Sequence, residues 1–134
     1  MSSNRALIVP TSLGCPADTA TVASLDVIAD GKIDRALIVA APDDLDFGAA
    51  GTVATWTDGG VEVTYCIVTD GQAGGFDPAV SRESIPEVRR NEQRAAAELV
   101  GVTDVRFLGY VDGELDVTPE LVRDLVRVIR QVRP

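Results

Sequence analysis

Apolar positions fall into short uninterrupted runs separated by stretches with helical spacing. Ala36 to Ala40 is apolar throughout, as expected for a strand covered on both faces. Val61 to Thr69 is a second such run, rich in β-branched residues, and Val105 to Leu108 is a third, shorter one. Between the first two, Phe47 to Thr57 reads as a helix of small residues closed by Asp58-Gly59-Gly60. Asp70 to Ser84 reads as a long loop carrying Gly71, Gly74, Gly75 and Pro78. Pro86 to Val100 reads as a helix with Val88, Ala95, Ala96 and Leu99 on one face and Gly101 as its stop. Thr118 caps a last helix, with Pro119 at its first position and Glu120 in its first turn. Its apolar stripe is Leu121, Val122, Leu125, Val126, Ile129 and Val132, and Arg127, Arg130 and Arg133 sit where the helix dipole favours cations.

Strands alternating with helices predict βαβ units, a parallel sheet and right-handed crossovers. The expected fold class is α/β, a Rossmann-like three-layer parallel sheet. Residues 35–134 carry this pattern, and residues 1–34 read as a leader of uncertain structure. Within the leader, Arg5-Ala6-Leu7-Ile8-Val9 is echoed by Arg35-Ala36-Leu37-Ile38-Val39. Ala6 to Val9 can therefore take a strand position beside the first core strand. The chain stops at Pro134 just after a helix that should deliver another strand. The domain is thus expected to be truncated, with an open sheet edge through which a homo-oligomer could form.

Length and charge narrow the function classes. The 134 residues suffice for one ordinary core. A formal charge of −9 repels phosphate backbones, which argues against nucleic acid and anionic membrane as partners. No run approaches membrane-spanning length. Cys15 and Cys66 are far apart and form no CxxC pair, which fits a reducing compartment and a cytoplasmic location. Ser12-Leu13-Gly14-Cys15 is only faintly similar to a lipoprotein cleavage site. Histidine is absent, so this sequence supplies no imidazole base and no imidazole metal ligand.

In an open α/β sheet, ligands bind beyond the carboxyl ends of the strands. Three segments hold that place: Ala41 to Asp46, Thr69 to Gly75, and Gly109 to Gly113. Each carries a carboxylate, and paired carboxylates can divide metal binding from proton transfer. By position alone, Asp44 or Asp46 is equally a helix N-cap, the glycines are ordinary turn residues, Arg89 and Arg90 are a solvated helix face, and Asp112-Gly113 is a turn dipeptide.

Taken together, these segments resemble the LmbE/PIG-L deacetylases. Ala40-Ala41-Pro42-Asp43-Asp44 with Phe47-Gly48-Ala49-Ala50-Gly51 is similar to the family's AHPDD motif and the glycine after it. Thr69 to Gly75 resembles its second loop, Arg89 to Arg94 with Glu92 its Arg-x-x-Glu helix, and Leu108 to Gly113 its third loop. The resemblance implies hydrolysis of an N-acetyl group on a GlcNAc-type sugar conjugate with one Zn²⁺ as cofactor. It implies that Asp43 is the general base and Asp44 a metal ligand, with Gly74, Arg89 and Asp112 around the substrate. The family's first histidine ligand falls at Ala41, and its distal histidine segment lies beyond Pro134. The expectation is a zinc deacetylase site that is impaired or inactive in this chain. The alternatives are a non-catalytic module for a sugar or small polar ligand, and a fragment that pairs through its edge.

Overall fold

The computed structural model describes residues 4–8 (backbone only), 33–74 and 81–134. Val9, Cys15, Gly75 and Pro78 lie outside the described residues. The strands are β1 (Asn4–Ile8), β2 (Ile33–Ala40), β3 (Glu62–Thr69) and β4 (Asp104–Tyr110). The helices are α1 (Asp44–Gly48), α2 (Ala50–Asp58), α3 (Ile85–Leu99) and α4 (Pro119–Val132), with a 3-10 turn at Arg82–Ser84. Among the described residues, no helix is long and apolar enough to cross a membrane.

The four strands form one parallel sheet in the order β1-β2-β3-β4. Alternation along the strands sorts their side chains onto two faces. Ala36, Ile38, Ala40, Val63, Tyr65 and Ile67 pack with Leu45 of α1, Val53 of α2 and Ala97 of α3. Leu37 and Cys66 pack on the other face against Val128 and Val132 of α4. Burial on both faces explains the unbroken apolar runs. Leu37, Ile38, Leu45 and Tyr65 are fully enclosed, and burying each such side chain contributes about 1.5–3 kcal/mol. Right-handed crossovers in a sequential strand order put α2 and α3 on the same face, while α4 covers the opposite one. This is the three-layer α/β arrangement expected from the sequence.

The two Arg-Ala-Leu-Ile segments meet in register. Arg5 pairs with Arg35, Ala6 with Ala36, Leu7 with Leu37 and Ile8 with Ile38. The backbone of the leader thus supplies a strand beside the first core strand. Arg35 also ties the sheet together. It makes two hydrogen bonds to Glu62 Oε2 at 2.8 and 2.9 Å, and its Nη1 donates to Val132 O at the end of α4 at 2.8 Å.

Several element readings need correction. The single helix expected over Phe47 to Thr57 is two, α1 and α2, broken at Ala49, whose φ of −125° leaves the helical region. The first of them begins at Asp44, so Asp44 and Asp46 are first-turn residues and not caps. Asp43 stands at the cap position without a side-chain cap bond. On α3, Val88 is 44% and Leu99 88% exposed, and the buried positions are Ile85, Gln93 and Ala97. On α4, Val122 and Val126 are exposed, while Leu121, Val128 and Val132 are buried. The Thr118 cap forms as expected, its Oγ1 accepting from Leu121 N–H at 3.2 Å.

Two neighbours in β3 set a dependence on alkaline pH. Burial pushes the Cys66 thiol from 9.0 to about 11, with Arg106 opposing and Asp104 adding to the rise. Burial, and secondarily the Asp46 carboxylate, push the Tyr65 phenol from 10.0 to about 12. Both groups stay protonated in the fold at pH values where the unfolded chain ionises. Their contribution is complete below the ordinary values and is lost as pH rises toward the folded ones. The urea midpoint followed by circular dichroism should therefore fall between pH 9 and pH 11. A midpoint that stays level across that interval would contradict the buried placement of both groups.

Candidate active site

The loops after β2, β3 and β4 converge at one end of the sheet because the strands are parallel and in near-level register. The loop after β2 is three residues long, Ala41 to Asp43, before α1 begins. So short a link turns sharply, and Asp43 takes a left-handed backbone with φ 73° and ψ −30°. A non-glycine residue there costs roughly 1–3 kcal/mol, with aspartate among the more tolerant residues. Its side chain is 58% exposed.

α3 runs beneath these loops. Arg89 places Nη1 3.9 Å from Asp43 Oδ1 and 3.0 Å from Glu92 Oε2. The same guanidinium lies against the second loop: a Cβ on Gly74 would stand 3.5 Å from Arg89 Nη2. Gly71, at φ 66°, packs so closely that a Cβ there would stand 3.2 Å from Pro42 Cγ. The first and second loops are therefore in contact. The second reaches the third through Gln72, whose Oε1 accepts the Asp112 N–H at 3.3 Å. The structure thus brings Asp43, Gly74 and Arg89 together directly and attaches Asp112 through Gln72. Asp44 follows Asp43 at the first position of α1, and Ala41 begins the same loop.

Asp70, the acidic residue of the second loop, is occupied otherwise. It is buried, and Arg90 clamps it with Nε and Nη2 at 2.7–2.9 Å. The guanidinium carbons of Arg90 and Arg94 lie 5.6 and 5.0 Å from the Phe107 ring centroid. This cluster fixes α3 to β3 and β4. Two residues the sequence reading missed sit nearby. The Gln93 side chain is buried, accepts Asp43 N–H at 3.4 Å and donates to Asp46 Oδ1 at 3.4 Å. Desolvation by neighbouring atoms raises the Asp46 carboxyl; Gln93 opposes the rise and Asp43 adds to it. Thr69 Oγ1 is buried and has no hydrogen-bond partner among the described residues. Both fall within segments already singled out, Thr69 at the start of the second loop and Gln93 between Arg89 and Arg94, but neither was given a role. For Gln93 the available signal was its place on the four-residue line Ile85, Arg89, Gln93, Ala97.

The residues do not fit a zinc ion. A catalytic zinc site takes three protein ligands. Ala41 offers a methyl group, the chain has no histidine, and Thr69 offers only a neutral hydroxyl. Among the described residues, no group of three His, Cys, Asp or Glu is placed to hold a metal. What the loops do offer is a carboxylate facing a guanidinium, a glycine-lined approach and a carboxylate on the third loop. A separate groove of about 720 Å³ along α4, lined by Val117, Val122 and Val126 with Arg123, Arg127 and Arg130, contains no carboxylate and shares no lining residue with these loops.

Residues 36–134 match the family profile described as PIG-L: GlcNAc-PI de-N-acetylase. A diacetylchitobiose deacetylase from Thermococcus kodakarensis is 39% identical over 93 residues, which are 69% of this chain and 35% of that protein. A probable N-acetyl-alpha-D-glucosaminyl L-malate deacetylase 2 from Bacillus cereus is 39% identical over 98 residues, covering 69% of this chain and 44% of that protein. The chain therefore spans less than half the length of these relatives. Among solved structures, the N,N'-diacetylchitobiose deacetylase of Pyrococcus horikoshii with its inhibitor MPG superposes with a TM-score of 0.72 at 35% identity, over 75% of this chain and 38% of that one. GalB, a 4-carboxy-2-hydroxymuconate hydratase from Pseudomonas putida, gives a TM-score of 0.69 at 25% identity, over 76% and 45%.

The left-handed Asp43 carries a stability prediction. Replacing it with glycine relieves the backbone and should leave the protein as stable or up to about 1 kcal/mol more stable, whereas Asp43→Ala keeps the strain. Urea denaturation of the two variants should separate them by roughly 1–2 kcal/mol in favour of glycine. Equal stability of the two would mean that the backbone at 43 is not left-handed.

Proposed function

We propose that this chain, which belongs to the PIG-L (GlcNAc-PI de-N-acetylase) family, takes an N-acetylated GlcNAc-type sugar conjugate at its strand-end loops, with deacetylation impaired by Ala41 at the place of the family's first histidine ligand. The observation that carries the reading is the placement of Asp43. Its carboxylate faces Arg89 at the junction of loops tied together by the Gly71–Pro42 packing and the Gln72–Asp112 hydrogen bond. A carboxylate there can take a proton from a water molecule poised against an amide carbonyl. Arg89 is a fixed cation that can hold a sugar hydroxyl or the carbonyl oxygen. Gly74 lets the substrate approach the backbone, and Asp112 offers a carboxylate to its hydroxyl groups.

What the chain lacks is a strong electrophile. Family deacetylases depend on a metal, and the resemblance gives Asp44 the role of a ligand. One carboxylate beside the Ala41 methyl cannot hold zinc tightly. Water near the site then stays a poor nucleophile, and Asp43 alone gives little acceleration. The intact contacts among the loops support a second reading, in which the module binds a sugar without turning it over. The hydratase neighbour shows that this fold also serves other small polar substrates, whereas the sequence relatives favour an N-acetyl sugar. The spacing of the cysteines supports a cytoplasmic location, and the place of β4 at the end of the strand order among the described residues is where a second copy could pair.

Three measurements on the purified chain test this. Elemental analysis should find well under one zinc per chain. Incubation with N,N'-diacetylchitobiose should release no amine above buffer. Titration with N-acetylglucosamine, followed by amide chemical shifts, should saturate at the Asp43, Gly74, Arg89 and Asp112 positions. Stoichiometric zinc with amine release would overturn the impairment, and the absence of saturable binding would overturn the sugar assignment. In a protein of residues 1–134, Ala41→His alone should not produce turnover, because one restored imidazole beside Asp44 leaves the ligand set short of three within those residues. Amine release by that single variant would refute this account of the metal.

A further inference from the structure

Gln93 is a neutral polar side chain enclosed in the middle of α3, 3% exposed, on the face that looks toward the loop after β2. A buried carboxamide needs both halves satisfied, and both partners here belong to the candidate site. Its oxygen accepts the backbone N–H of Asp43, and its nitrogen donates to the Asp46 carboxylate. The orientation of the amide is dictated by these partners, since an N–H must meet the oxygen and a carboxylate must meet the NH₂.

We propose that Gln93 is a positioning residue for Asp43. By holding the N–H of the left-handed residue on one side and the first turn of α1 on the other, its amide fixes the three-residue link and turns the Asp43 carboxylate toward Arg89. Neither a leucine nor an ionised glutamate of similar size can do both jobs. Leucine has no polar group, and a carboxylate accepts without donating. The proposal rests on the reading of Asp43 as the site's base, but its structural half can be measured without any activity.

The experiment uses the full ¹⁵N,¹³C-labelled chain. It reads hydrogen exchange of the Asp43 amide and the carbon shifts that mark a left-handed residue. In the wild type the amide should be protected. In Gln93→Leu protection should fall roughly tenfold, the left-handed shifts should move toward averaged values, and N-acetylglucosamine should bind roughly tenfold more weakly. Gln93→Glu keeps the acceptor but faces Asp46 with a like charge, and should recover only part of the protection. Gln93→Glu combined with Asp46→Asn restores a donor and acceptor with reversed polarity, and should recover most of it. An unprotected Asp43 amide in the wild type overturns the proposal. So does a Gln93→Leu protein that merely melts earlier while its Asp43 amide and shifts stay put. Should Gln93→Leu fail to fold, the double variant decides: recovery beyond Gln93→Glu alone supports the clasp, and no recovery overturns it. If the wild type does not bind the sugar, the functional reading falls while the amide data still decide the role of Gln93.

Discussion

The ion pair between Arg90 and the buried Asp70 carboxylate holds the working end of this molecule together. Asp70 follows directly on β3, and Arg90 sits in the second turn of α3. Their three hydrogen bonds, with Phe107 of β4 beneath the guanidinium, fix the rotation of α3 about its own axis. Once that rotation is set, Arg89 must look toward the loop after β2 and Gln93 must point beneath it, because residues three and four apart share a face. Removing Arg90 would leave the buried Asp70 carboxylate without its counterion, which is costlier than losing an exposed pair. The Arg89–Asp43 contact at 3.9 Å is of the weaker kind, and its geometry is inherited from its neighbour.

The sequence showed the sheet more clearly than the helices that carry chemistry. Ala36 to Ala40 and Val61 to Thr69 were legible because strands covered on both faces are dominated by apolar and β-branched residues. The strand-end loops followed from topology alone, so the order of elements already assigns Asp43, Gly74 and Asp112 to one end of the sheet. The orientation of α3 was not legible. Val88 and Leu99 made an apolar face on paper, yet both are exposed, since polar Arg89, Arg90 and Gln93 have stronger reasons to face inward. Hydrophobic periodicity cannot register a side chain buried for its hydrogen bonds. The left-handed backbone at Asp43 was equally hidden, because it arises from the short link and not from any residue that demands it. The echo between Arg5–Ile8 and Arg35–Ile38 was plain as a repeat. Its meaning, identical residues paired across neighbouring parallel strands, needed the register.

Family membership and chemical competence rest on different residues here. The profile match over residues 36–134 spans most of β2, all of β3 and β4, and the arginine-bearing helix α3. Metal chemistry draws on a few donor atoms, and on the proposed reading Ala41 stands where one of them would be. A methyl group in place of an imidazole changes almost nothing that a fold comparison measures. It removes a ligand whose loss is felt through the pKa of a water molecule.

The strain at Asp43 shows how far that separation goes. Left-handed backbone at a non-glycine residue is usually read as stability given up for function. In this chain the strain does not depend on a metal, because its causes lie in the link between β2 and α1 and in the amide of Gln93. Both belong to the fold. On the proposed reading of Asp43 as the base, a site of this construction keeps that base aimed even when the ion it would serve has nothing to bind it. The reverse does not hold: if Gln93 stopped holding the Asp43 N–H, a full set of metal ligands would still face a carboxylate free to swing away. On this argument the order of dependence runs from the Asp70–Arg90 pair to α3, from α3 to Gln93, and from Gln93 to Asp43. The metal ligands come last.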